Sequence, residues 1–149
     1  MLIGIPPLLG PDFLATLRAM GHGDEIAIVD GNYPALDHAR RLVRADGHGV
    51  LTVVQAVLTV MPLDQAVPAA LFRASLNNDP AQKGEIHGQI DALCAQMAPG
   101  MQVVALSGEA LYPRIRAAHA VVATSEMALF ANVILRKGVI DPGERSRAG

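Results

Sequence analysis

Apolar positions recur along this chain at two spacings, and together they predict alternating helices and strands. Over residues 11–20, Phe13, Leu14 and Leu17 share one helical face, Asp12 suits the first turn, and Gly21 ends the helix. Residues 25–29 form a short apolar run closed by Asp30 and the turn-like Gly31-Asn32-Tyr33-Pro34, which reads as a buried strand. A short helix is expected over 37–42. Residues 50–60 carry β-branched side chains that favour a strand. Their length and the stop at Pro62 favour a helix, and a helix is expected. Strands are expected over 69–74, 102–107, 120–124 and 132–135. Asp79-Pro80 has the form of an N-cap followed by proline at the first helical position, opening a helix that runs to about Met97. A last short helix is expected over 112–119, started near Pro113. The tail over 141–149 is polar and rich in Gly, Arg and Ser, and is expected to be poorly ordered. Alternation of this kind predicts an α/β domain over residues 1–140, with a sheet buried on both faces beneath helices.

Composition narrows the function. The 149 residues suit one domain, and 51% of them are hydrophobic while only 3% are aromatic, so aliphatic packing must dominate the core. A net charge of -2 and few aromatics give no basis for nucleic-acid binding. The longest apolar window, residues 50–63, contains Thr52, Gln55 and Thr59 and is too short to span a bilayer. The N-terminus lacks a basic segment followed by an apolar one, so no signal peptide is expected. The single cysteine, Cys94, excludes an internal disulfide and, in a helix-like setting, reads as an inert buried thiol. A reducing, cytoplasmic location is expected.

The candidate chemistry centres on Gly21-His22-Gly23-Asp24. Histidine can give and take a proton near neutral pH, and flanking glycines let a ligand approach the backbone. The same residues also read as a helix C-cap, an exposed histidine and a turn aspartate. His38, His48, His87 and His119 read as surface or packing residues, without zinc-ligand spacing. Gly21-His22-Gly23 lacks the lysine and Ser/Thr of a phosphate loop, and Ser107-Gly108-Glu109 is an incomplete nucleophile elbow. His22, Asp30, Gly108 and Asn132 all fall at or just beyond expected strand ends, consistent with one convergent site.

Several stretches together carry a resemblance. They are Leu8-Leu9-Gly10-Pro11, Arg18-Ala19-Met20-Gly21-His22-Gly23-Asp24-Glu25-Ile26, Arg44-Ala45-Asp46-Gly47 and the closing run from Ala131 to Val139. The chain resembles the RbsD/FucU sugar mutarotases to about Ile140, and its His-Gly-Asp-Glu and Arg-Ala-Asp-Gly stretches are more similar to the fucose branch than to the ribose branch. The resemblance implies a three-layer RbsD-like fold and cofactor-independent, metal-free interconversion of monosaccharide anomers or ring forms. It places His22 at the catalytic histidine, Asp30 at the aspartate that holds sugar hydroxyls, and Phe130, Ala131 and Asn132 at the closing site motif. Asp24 is expected to be structural and Glu126 to be a solvated or capping carboxylate.

Two departures stand out. The family pattern has tyrosine where this chain has Phe130, and an arginine (fucose branch) or histidine (ribose branch) where it has Gly108; Glu109 and Tyr112 are neighbouring groups that could compensate. The alternatives are therefore a binding protein of the same fold with weakened catalysis and, from the residues alone, a metal-dependent hydrolase using His22, Asp24 and Asp30. The resemblance also implies a homo-oligomer built on rings, such as a decamer. The C-terminal strand bearing Phe130 and Asn132 could then complete a neighbouring subunit's pocket.

Overall fold

The computed structural model describes residues 1–145. Along the chain lie α1 (Pro11–Ala19), β1 (Glu25–Val29), α2 (Ala35–His38), β2 (Leu42–Ala45), α3 (Val50–Val60), β3 (Leu71–Arg73), α4 (Glu85–Met97), β4 (Val103–Ala105), α5 (Gly108–Ala117), β5 (Ala120–Thr124), β6 (Val133–Arg136) and α6 (Pro142–Arg145). The strands form one six-stranded sheet in the order β2-β5-β1-β6-β3-β4. Every pairing is parallel except those of β6, which runs against both β1 and β3.

The sheet is buried on both faces. In β1, Ile26 and Ile28 point to one side, where they meet Phe13 and Leu17 of α1, Val53 and Val57 of α3, and Ile90 of α4. Ala27 and Val29 point to the other, against Ala35 of α2 and Leu111 and Ile115 of α5. Each large aliphatic side chain buried this way contributes about 1.5–3 kcal/mol relative to exposure. The three layers expected of this chain are therefore present. Cys94 is fully buried within the first cluster, and burial pushes its thiol up to about 11, which makes it inert.

Three local expectations need correction. The helix expected over 37–42 is only the single turn α2, and it is followed by β2 at the sheet edge. A four-residue edge strand interrupted by Arg44 offers too little periodicity to be read. Asp79-Pro80 does not open α4. Asp79 instead accepts from the Ala81 amide in a tight turn, after Asn77 and Asn78 adopt left-handed backbones (φ 54° and 60°). The helix begins at Glu85, after Gly84. Helix α5 starts at Gly108 rather than near Pro113, because the Ser107 hydroxyl caps it by accepting from the Ala110 amide, and Pro113 lies inside it. In the tail α6 forms, and the rest of it, residues 146–149, lies outside the described residues.

The far end of β6 is stitched to two other segments. Gly23 donates to the Lys137 carbonyl and Lys137 to the Asp24 carbonyl, each at 2.8 Å. The Lys137 ammonium caps α1 through the Leu17 and Met20 carbonyls. On the other side the Asp64 backbone amide donates to the Arg136 carbonyl and that of Gly138 to the Pro62 carbonyl. A Cβ on Gly138 would collide with the Leu63 backbone carbonyl, which cannot swing aside as a side chain could. Gly138→Ala is therefore expected to destabilise the fold by about 1–3 kcal/mol, read as a lower urea midpoint at unchanged slope; an unchanged midpoint would mean this seam is loose.

Candidate functional site

The sheet's directions decide where the polar residues go. Strands β1, β3, β4 and β5 end at one edge, and β6, running oppositely, begins there. Asp30, Phe130, Ala131, Asn132 and Gly108 therefore all lie at this carboxyl edge. His22 precedes β1 and lies at the opposite edge. The five residues of β1 separate His22 from Asp30 by about 16 Å. The convergence expected of His22 with Asp30, Gly108 and Asn132 within one chain does not occur. A metal set of His22, Asp24 and Asp30 fails for the same reason, and no group of three or more candidate ligands is present among the described residues.

At the carboxyl edge Asp30 is buried and doubly held. Its Oδ1 accepts from the Asn32 amide at 2.9 Å and its Oδ2 from the Ala131 amide at 3.3 Å. Its own amide donates to Asn132 Oδ1 at 3.0 Å. That bond fixes the orientation of the Asn132 amide, because only its oxygen can accept, and turns Nδ2 into the group left for donation. Asp30 retains acceptor capacity for a hydroxyl, so the pair presents one acceptor and one donor. Ala131 is wholly buried, and its amide is committed to Asp30; it contributes backbone position and no surface for a ligand.

Phe130 is half-buried with φ 58°, a left-handed backbone that costs a bulky residue about 1–2 kcal/mol. His87 holds it there. This fully buried side chain, read from sequence as a surface or packing residue, accepts the Gly84 amide at Nδ1 and meets the Phe130 carbonyl with Nε2, both at 2.9 Å.

Gly108 is buried at the first turn of α5. A Cβ there would come within 2.9 Å of Asn78 Cγ, so an arginine or histidine fits only if the Asn78 side chain shifts. In front of it lies an open recess of about 590 Å³, lined by Asn78, Ser107, Gly108, Glu109, Tyr112 and Pro113. The Tyr112 ring stacks on Tyr33 with centroids 6.1 Å apart.

At the opposite edge His22 is 49% exposed, and its Nε2 lies 3.0 Å from Oδ1 of Asp64, which is only 2% exposed. Asp64 also accepts from Arg136 Nε at 2.8 Å and the Ala66 amide at 3.0 Å. The Arg136 guanidinium, then His22 and the Ala66 amide, hold the Asp64 carboxyl well below the usual carboxylate range. An ionised Asp64 only accepts, so His22 donates to it from Nε2, and Nδ1 is left as the basic nitrogen. A recess of about 320 Å³ opens beside them, lined by Leu63, Gln65, Ala66, Val139 and Asp141. Gly23 takes φ 88° in the His22 turn, and Asp24 accepts the Gly21 amide at 2.8 Å, the structural role expected of it. Glu126 acts as the capping carboxylate, accepting from Val50 at the start of α3.

Asp64 carries no sequence motif of its own. The signal was weak: one aspartate in a loop, forty-two positions from the histidine it orients.

The RbsD / FucU transport protein family model matches residues 3–140. The chain belongs to the RbsD/FucU family. The fucose mutarotase of Streptococcus pneumoniae, solved in complex with L-fucose, is 36% identical and superposes with a TM-score of 0.84 over 94% of this chain and 100% of that one. FucU from Bifidobacterium longum is 34% identical with the same TM-score, over 93% and 99% of the two chains. RbsD of Bacillus subtilis, complexed with D-ribose, shares the fold at 21% identity and a TM-score of 0.72, over 95% and 99%.

The Asp64 cluster generates a pH prediction. Because the folded-state carboxyl titrates below its ordinary value of 3.8, its stabilisation is fully present above that pH and is lost as pH falls below it. Asp64→Asn should lower the urea midpoint at neutral pH, and the gap from the native protein should narrow from about pH 4 downward. A gap independent of pH would show that the charge on Asp64 contributes nothing.

Proposed function

We propose that this chain is a cofactor-independent monosaccharide mutarotase whose site is completed by a second copy. The observation that carries the reading is the division of labour between the sheet edges. An Asp64-backed histidine stands at one edge and the Asp30–Asn132 acceptor–donor pair at the other. Mutarotation opens a cyclic hemiacetal by protonating the ring oxygen and deprotonating the anomeric hydroxyl, then closes it on the other face. Both steps need only a group that exchanges protons near neutral pH, which histidine provides. Asp64 fixes the tautomer and steadies the imidazolium, and Asp30 and Asn132 hold sugar hydroxyls.

Head-to-tail assembly would bring the two halves together. Beside the Asp30 edge Met127 is 88% exposed and Leu129 is 61% exposed; beside His22, Val139 is 63% exposed and Ile140 52%. Two apolar patches at opposite ends of one chain suit a heterologous contact that closes into a ring, the basis for a decamer or other ring-based homo-oligomer. The family and its fucose-mutarotase relatives support a sugar ligand, L-fucose-like or ribose-like. The Tyr112 phenol, on the recess in front of Gly108, stands near the place where the family's charged side chain is absent. A second reading, a monosaccharide-binding protein with weak catalysis, is favoured by one observation: Phe130 offers a ring without a hydroxyl.

Saturation-transfer NMR over a panel of monosaccharides tests the function. Accelerated anomer exchange is expected; binding without acceleration would establish the second reading. Phe130→Tyr should keep the fold and raise exchange or shift sugar preference. Indifference of both would make Phe130 a packing residue.

The shared site has its own test. His22→Ala should abolish most exchange and Asp30→Asn should weaken sugar binding. When the two variants are co-assembled in equal amounts, roughly a quarter of the composite sites regain both native residues. Exchange recovering toward that fraction supports a shared site. No recovery above either parent, or full activity in a monomer by light scattering, would sink it.

A further inference from the structure

We propose that His87 is the positioning residue of the ligand-holding loop: by bridging the start of α4 to the Phe130 carbonyl, it sets the backbone from which Asp30 and Asn132 take their places. This deepens the mutarotase reading and rests on it only for the sugar measurements.

The direction of each bond is set by donor chemistry. The Gly84 N–H can only donate, so Nδ1 of His87 must accept and carries no proton. The Phe130 carbonyl can only accept, so Nε2 must donate. His87 is thus locked as the neutral Nε2–H tautomer, with both ring nitrogens engaged and the side chain sealed from solvent. Its bond to Gly84 is the returning half of a helix cap, which anchors the ring to α4. The bond to Phe130 lands on one of the few non-glycine residues with a left-handed backbone among those described.

The two residues after Phe130 make this placement consequential. The Ala131 amide, next along the chain, donates to Asp30, and Asn132 after it accepts the Asp30 amide. Turning the Phe130 carbonyl away would let its φ relax, rotating the very peptide whose N–H holds Asp30. A hydrophobic residue of similar volume would fill the space of His87 without restraining that peptide. Packing alone therefore does not explain an imidazole here. His87 bonds neither His22 nor Asp64 and acts only on the backbone beside Asp30 and Asn132, so its loss should disturb holding of the sugar more than proton transfer.

The experiment compares His87→Leu with His87→Gln, whose amide can both accept and donate. In His87→Leu the amide resonances of Phe130, Ala131 and Asn132 should shift, KM for the best sugar should rise about tenfold, and kcat should stay within about threefold. His87→Gln should recover part of the affinity. Long-range proton–nitrogen correlation spectra of the native protein should show His87 as the Nε2–H tautomer, a readout that stands even if a variant fails to fold. A proton on Nδ1, unmoved loop amides in folded His87→Leu, or equal KM for Leu and Gln variants would each overturn the proposal. Should the native protein bind no monosaccharide, the mutarotase reading fails, while the tautomer and loop resonances still decide the role of His87.

Discussion

The direction of a single strand governs the rest of this molecule. Had β6 run parallel to β1 and β3, Asn132 and Arg136 would exchange edges. Because it runs against them, its first residues reach Asp30 and its last reach Asp64 and the His22 turn. One four-residue strand therefore touches both polar clusters. It is also held from both ends, by the His87–Phe130 bond on one side and by the Gly23–Lys137 and Gly138–Pro62 seams on the other. The core supplies the rigidity for this: β1, which spaces the clusters, is buried on both faces and paired on both sides.

Much of the fold was legible in the chain. Runs such as 25–29 and 120–124 are too short and too apolar to be anything but inner strands, and α3 declares itself by length over its β-branched composition. What failed to show were features made by contacts between distant segments. Arg44 masks β2, whose strand character comes from pairing with β5. Asp79-Pro80 carries a helix-start signal that loses to a local turn, while Gly84, a poor cap by itself, is served by the His87 ring three residues on.

The site divides in the same way. Residues with a motif of their own, His22 and Asp30, could be named from sequence. Their relation could not, because strand alternation says which ends are polar without saying which edge each end joins. Asp64 and His87 are ordinary residues in sequence. They acquire roles only when the fold sets them against His22 and Phe130. The two departures from the family pattern, Phe130 and Gly108, fall together at the carboxyl edge, whereas His22 lies at the other, and Asn78 occupies the space a larger residue at 108 would need.

That clustering has a consequence for how such a protein can change over generations. Among the described residues, the cluster of His22, Asp64 and Arg136 shares no hydrogen bond with the loop around Phe130, and within one chain the sheet lies between them. Substitutions can accumulate at the carboxyl edge, reshaping its polar groups, while the His22–Asp64–Arg136 contacts at the other edge keep their partners. A lineage could thus remodel one end of the sheet without disturbing the contacts built at the other.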